Sequence, residues 1–89
     1  MRSYFSVGQA EGRLRIAMGT PEHEFAVLVN PEKMTDPRVR EMITAWALGI
    51  FSCPQAGISR TTVDDLLDHL EERYPIQRPL FPRPKLRLW

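Results

Sequence analysis

The chain has 89 residues, of which 43% are hydrophobic and 26% charged, and its formal net charge is +1. This composition excludes a disordered chain and leaves room for one core, and a charge so near zero gives no ground for a polycationic nucleic-acid binder or an acidic mimic. A domain of this length buries roughly 60 to 65% of the surface its unfolded form exposes, and the single cysteine, Cys53, excludes an internal disulfide, so assembly into a homodimer is the expected compensation.

The lone cysteine, the lack of an apolar run approaching about 18 residues and the lack of a signal-like segment point to a soluble protein of a reducing compartment, read as cytoplasmic. Ten of the twelve basic residues are Arg, a bias that suggests a GC-rich coding sequence of bacterial or phage kind.

From the N-terminus, Tyr4, Phe5 and Val7 form a short strand-like run closed by Gly8, and residues 8–12 read as a hairpin loop. Leu14, Ile16 and Met18 then alternate with Arg13, Arg15 and Ala17, the period of a strand with one buried face. Gly19-Thr20-Pro21 makes a second break. Residues 25–29, Phe-Ala-Val-Leu-Val, are apolar throughout and read as the central strand, ended by Asn30-Pro31. Such short connections give an antiparallel meander.

Thr35 or Asp36 ahead of Pro37 is a helix start, a side-chain oxygen capping free N–H groups while proline sits where its missing donor costs nothing. Val39, Ile43, Trp46 and Ile50, with Met42 and Ala47, form a wide apolar stripe expected to be largely buried. A second helix opens at Ser59 or Thr62, with Ile58 and Val63 as a hydrophobic staple and Thr62 and Asp65 spaced as a capping box. Val63, Leu66, Leu67, Leu70 and Tyr74 recur at the helical period, and Pro75 stops it. Residues 76–84 hold three prolines in nine and read as an extended, polyproline-like arm, after which Lys85 to Trp89 alternates like an edge strand. The expected fold is therefore α+β: a three- to four-stranded antiparallel meander, two α-helices and an extended Pro-rich C-terminal arm, with residues 1–78 as one domain and 79–89 as the arm.

The stretch QAGISRTTVDDLL at 55–67 resembles the turn and recognition helix of helix-turn-helix repressors, and Cys53, Gly57, Val63 and Leu66 stand at that motif's spacing. The resemblance implies a DNA-binding regulator built on a degenerate motif over residues 53–66, with Arg60 and Thr61 as donors, Arg13 and Arg15 assisting and the basic arm tracking the backbone. Against it, Pro54 falls inside the motif's first helix, where it removes a hydrogen bond. The exposed face of the second helix also carries Asp64, Asp65, Asp68, Glu71 and Glu72, which repel phosphate.

Catalytic chemistry finds little to stand on. Asp65, His69 and Glu72 share a helix face at a metal-ligand spacing, but a solvated acidic face is the simpler reading. His23 sits between Glu22 and Glu24 in a turn, expected to be exposed, and Cys53 has no neighbouring base to activate it and is read as buried or half-buried. No glycine-rich phosphate loop is present, and no catalytic residue, metal or cofactor is assigned; the chain is not expected to be an enzyme. The arm carries the strongest binding chemistry: Phe81 and Trp89 as pocket anchors, with Arg83, Lys85 and Arg87 to pair with carboxylates, on a backbone that proline has already stiffened. The sequence thus reads as a small non-enzymatic protein-binding or regulatory module of inhibitor or adaptor type, with the DNA-binding regulator as the alternative.

Overall fold

The computed structural model describes residues 2–76. Strands β1 (Tyr4–Ala10), β2 (Arg13–Thr20) and β3 (His23–Val29) form an antiparallel sheet in the order β1-β2-β3, followed by helices α1 (Pro37–Phe51) and α2 (Arg60–Arg73). The fold is the expected α+β meander followed by two helices. The arm, with the fourth strand expected at Lys85 to Trp89, lies outside the described residues.

The strands differ from the sequence reading at their turns. Gly8 does not close β1 but pairs with Arg15 in mid-ladder, and the hairpin loop shrinks to Glu11-Gly12. Their φ angles of 56° and 76° are the paired left-handed conformations of a type I′ turn, whose twist matches that of the flanking strands and which glycine adopts freely. Likewise β2 runs through Gly19 to Thr20, leaving Pro21-Glu22 as the turn. A Cβ on Gly19 would stand 2.6 Å from the carbonyl oxygen of His23, so this glycine marks the close approach of β3 rather than a strand end.

The central strand is β2, not residues 25–29, and this corrects the expectation. Phe25, Val27 and Val29 are half-buried on the helix side, whereas Ala26 and Leu28 on the other face are exposed. Apolar residues on both faces of β3 therefore do not reflect burial of both faces. That burial belongs to β2, where Ile16 and Met18 on one face and Ala17 on the other are all fully covered. Alanine and glycine conceal a central strand from a reading based on hydropathy, because their neighbours rather than their own bulk cover them.

A short 3₁₀ turn, Pro31–Lys33, capped by Asn30, is an element that periodicity does not predict. Helix α1 begins as expected, Asp36 Oδ1 accepting from the Arg38 N–H at 2.9 Å with Pro37 in the first turn. Helix α2 is capped by Ser59, the first of the two expected starts, whose hydroxyl accepts from the Thr62 N–H at 3.2 Å, so the cap is not the Thr62 and Asp65 box. Ile58 and Val63 are both buried, as a staple requires.

The core joins Leu14, Ile16 and Met18 of β2 to Ile43 and Ala47 of α1 and to Val63, Leu66 and Leu70 of α2. Arg60 lies over the Phe51 ring and Arg40 reaches the Tyr74 carbonyl, so the end of α1 meets the start of α2 and the reverse; the helices run antiparallel. Ser3 bonds to Thr62 and Ser59 and the Phe5 ring packs on His69, which sets α2 over β1. Among the described residues, no helix is long and apolar enough to cross a membrane.

Candidate functional site

Helix α1 is less buried than its apolar stripe implies. Ile43 and Ala47 are buried, Val39, Trp46 and Ile50 only half so, and Met42 is 69% exposed. The cause is helical spacing: Met42, Ala45, Trp46 and Gly49 recur every three or four residues, on the side of α1 away from the one that carries Arg40 and Phe51 to α2. Met42, Ala45 and Gly49 are left exposed, while Trp46 packs partly against the core.

Beside it lies an open groove of about 640 Å³. Its floor and walls come from Phe25 of β3, Trp46, Gly49 and Ile50 of α1, and Ala56 and Gly57 of the loop beyond. Thr20, Glu22, His23, Cys53 and Gln55 edge it. The lining is mostly apolar, with a few polar groups at the rim, the composition of a binding cleft. The sequence carries a signal for this surface that periodicity does not capture: the eighteen residues from Met42 to Ser59 contain no charged side chain, in a chain otherwise rich in them.

Two rim groups bear on chemistry. The Cys53 thiol is exposed, contrary to expectation, because the 3₁₀ turn Pro54–Ala56 carries it off the end of α1; it donates to Gln55 Oε1 at 3.2 Å. His23, exposed as expected, lies against the Phe25 ring at a centroid separation of 5.0 Å. Among the described residues, no group of three or more His, Cys, Asp and Glu is placed to hold a metal.

The DNA-contact candidates are scattered. Arg60 Nε donates to Asp64 Oδ1 at 3.0 Å and covers Phe51; Thr61 is exposed beside it. Arg15 donates to Glu24 at 2.5 Å on the opposite face of the sheet, and Arg13 stands exposed two residues away on that face. In the motif region Cys53 lies outside α1, and the chain from Ser52 to Ser59 with its 3₁₀ turn is longer than the three- or four-residue turn of a helix-turn-helix. The partner-binding candidates Phe81, Arg83, Lys85, Arg87 and Trp89 lie outside the described residues.

Two features have no counterpart in the sequence reading. Arg40 is a buried arginine, 7% exposed, donating to the Met34 carbonyl at 2.9 Å, to the Tyr74 carbonyl and to Glu71 at 3.4 Å; it ties the 3₁₀ turn and the end of α2 to α1. On the open sheet face Tyr4 donates to Glu24 at 3.0 Å. The hydrogen bond from Arg15 and then that from Tyr4 hold the Glu24 carboxyl below its ordinary value of 4.5, and donation to Glu24 holds the Tyr4 hydroxyl above 10.0. No family model matches this chain, and neither does any curated protein or solved structure.

Proposed function

We propose that the chain is a small non-enzymatic protein-binding or regulatory module, and that its binding face is the Trp46 flank: the stripe Met42, Ala45 and Gly49 with the groove beside it. The observation that supports this most is an exposed helix face that from Met42 onward carries no charge, after Arg38 and Glu41 in the turn before it, and that is continuous with an apolar cleft. Solvated helix faces are normally charged, and an uncovered apolar patch next to a cleft is how protein-binding surfaces present themselves. The arm, through Phe81, Arg83, Lys85, Arg87 and Trp89, is a second contact in this reading, and an assembled form of the chain is its simplest instance.

The test is capture from the native cell with immobilised full-length chain and a Met42→Lys variant. Retention of a protein, including further copies of this chain, that falls at least tenfold in the variant supports the reading. Equal retention by both, or recovery of nucleic acid in place of protein, contradicts it.

A further inference from the structure

The Trp46 stripe is one of two uncovered features on the same flank. The other is the outer edge of β3, which among the described residues has no neighbouring strand. Native sheets blunt such edges with lysine, proline, a bulge or a very short strand. Strand β3 has only one charged side chain to serve in this way, Glu24: it is seven residues long, HEFAVLV, and pairs with β2 in unbroken register. Strand β1, the other edge, contains Ser6, Gly8 and Gln9 and lies under α2. With α2 over β1, helix α1 takes the β3 side, where Phe25 and Trp46 line one groove. Its stripe faces away from α2, and so stands beside the β3 edge.

We infer that the occupant of this flank is a second copy of the chain, paired antiparallel along β3 about a two-fold axis, so that two three-stranded sheets become one of six strands and the two Met42–Trp46 stripes cover each other. The inference rests on the protein-binding reading above and narrows the partner. Backbone groups along an open edge bond to water until another strand, whose own backbone matches their spacing, replaces it, and a two-fold contact presents the same strand and the same stripe from both sides. Charge agrees with self-pairing. A two-fold centred on Ala26 sets Glu24 opposite Leu28 of the second copy and Phe25 opposite Val27, with no like charges opposed. Glu24 is already neutralised by Arg15 within its own sheet, and the stripe from Met42 to Gly49 is itself without charge, with Arg38 and Glu41 of opposite sign in the turn before it.

The test is sedimentation equilibrium of the full-length chain, wild type against Ala26→Lys and Met42→Lys, with circular dichroism to verify folding. Ala26 and Met42 are both exposed, so neither lysine intrudes on the core. The expected result is a mass twice the 10.3 kDa of the chain, with each variant weakening association at least tenfold while folded. A wild-type chain that stays monomeric at a concentration of roughly 100 µM, far above the micromolar constants of modest interfaces, overturns the inference, as does a dimer indifferent to both lysines. A monomer in which the outward-facing β3 amides, those not bonded to β2, are nonetheless protected from hydrogen exchange overturns it in favour of the chain's own arm as the added strand. A monomer that still captures a different protein through Met42 leaves the binding reading standing and removes only the second copy.

Discussion

Arg40 shows most clearly how one side chain connects elements distant in sequence. One terminal nitrogen of its guanidinium, Nη2, donates to two backbone carbonyls that end other segments, Met34 and Tyr74, while Nη1 donates to Glu71, a spread of donors that a planar fork supplies. Arg40→Ala leaves those carbonyls without this donor and is expected to cost about 3 kcal/mol, read from urea unfolding. Arg40→Lys should recover part of that loss, since an ammonium replaces the charge but not the fork. A loss below about 1 kcal/mol for the alanine variant, the size of an ordinary surface change, would contradict the assignment.

The exposed Tyr4, Glu24 and Arg15 cluster sets a pH window. A carboxyl held below its ordinary 4.5 contributes stability that is present above the unfolded value and lost as pH falls through the lower folded one. A phenol held above 10.0 contributes below that value and loses it as pH rises through the folded one. The cluster is complete between those limits. Arg15→Ala should move the Glu24 midpoint, followed by carbon-13 NMR, up toward 4.5; a midpoint that does not move would show that the ion pair is not formed.

At the scale of elements, two glycines that look alike in sequence have opposite roles. Gly49 lies inside α1 with nothing within 4 Å of the place a methyl group would occupy, so Gly49→Ala should stabilise the domain by about 0.5–1 kcal/mol through helix propensity. Gly19 has the His23 carbonyl where that methyl would go, so Gly19→Ala should lower the melting temperature as it forces β2 and β3 apart. Thermal unfolding of the two variants checks both signs; a stable Gly19→Ala would mean the strands are not so close. On α2, changing Asp64, Asp65 and Asp68 together to Asn should leave the fold intact, because all three are exposed.

The same elements mark what sequence can and cannot carry. Helix limits are legible because caps are local chemistry: Asp36 and Pro37 open α1, and Ser59 with the Ile58 and Val63 staple opens α2. The alternation of Leu14, Ile16 and Met18 locates the buried face of β2 for the same reason. Strand order is not legible, since hydropathy reports what a residue is and not what stands beside it; Ala17 is fully buried while Leu28 is 46% exposed. Hydropathy alone also assigns Met42 to the core, although the core accepts Ile43 and Ala47 one face over and takes Trp46 only in part. The groove needs long-range packing to appear, because Phe25 and Trp46 meet only once the sheet and α1 are assembled.

For the whole molecule, the proposed role of residues 79–89 is partner contact, beside a core that among the described residues runs from Leu14 to Leu70. Deleting residues 79–89 is therefore expected to leave the melting temperature nearly unchanged while weakening partner capture; unfolding at room temperature would show that the arm belongs to the core. The proposed binding on the Trp46 flank is tested most directly by methyl NMR of the full-length chain. As the chain is concentrated, or as a captured partner is added, the methyl signals of Met42, Ala45 and Ala26 should shift together while those of the buried Leu66 and Leu70 hold still. Shifts centred instead on Thr61 and its neighbours along the acidic face of α2, with Met42 and Ala45 unmoved, would contradict it.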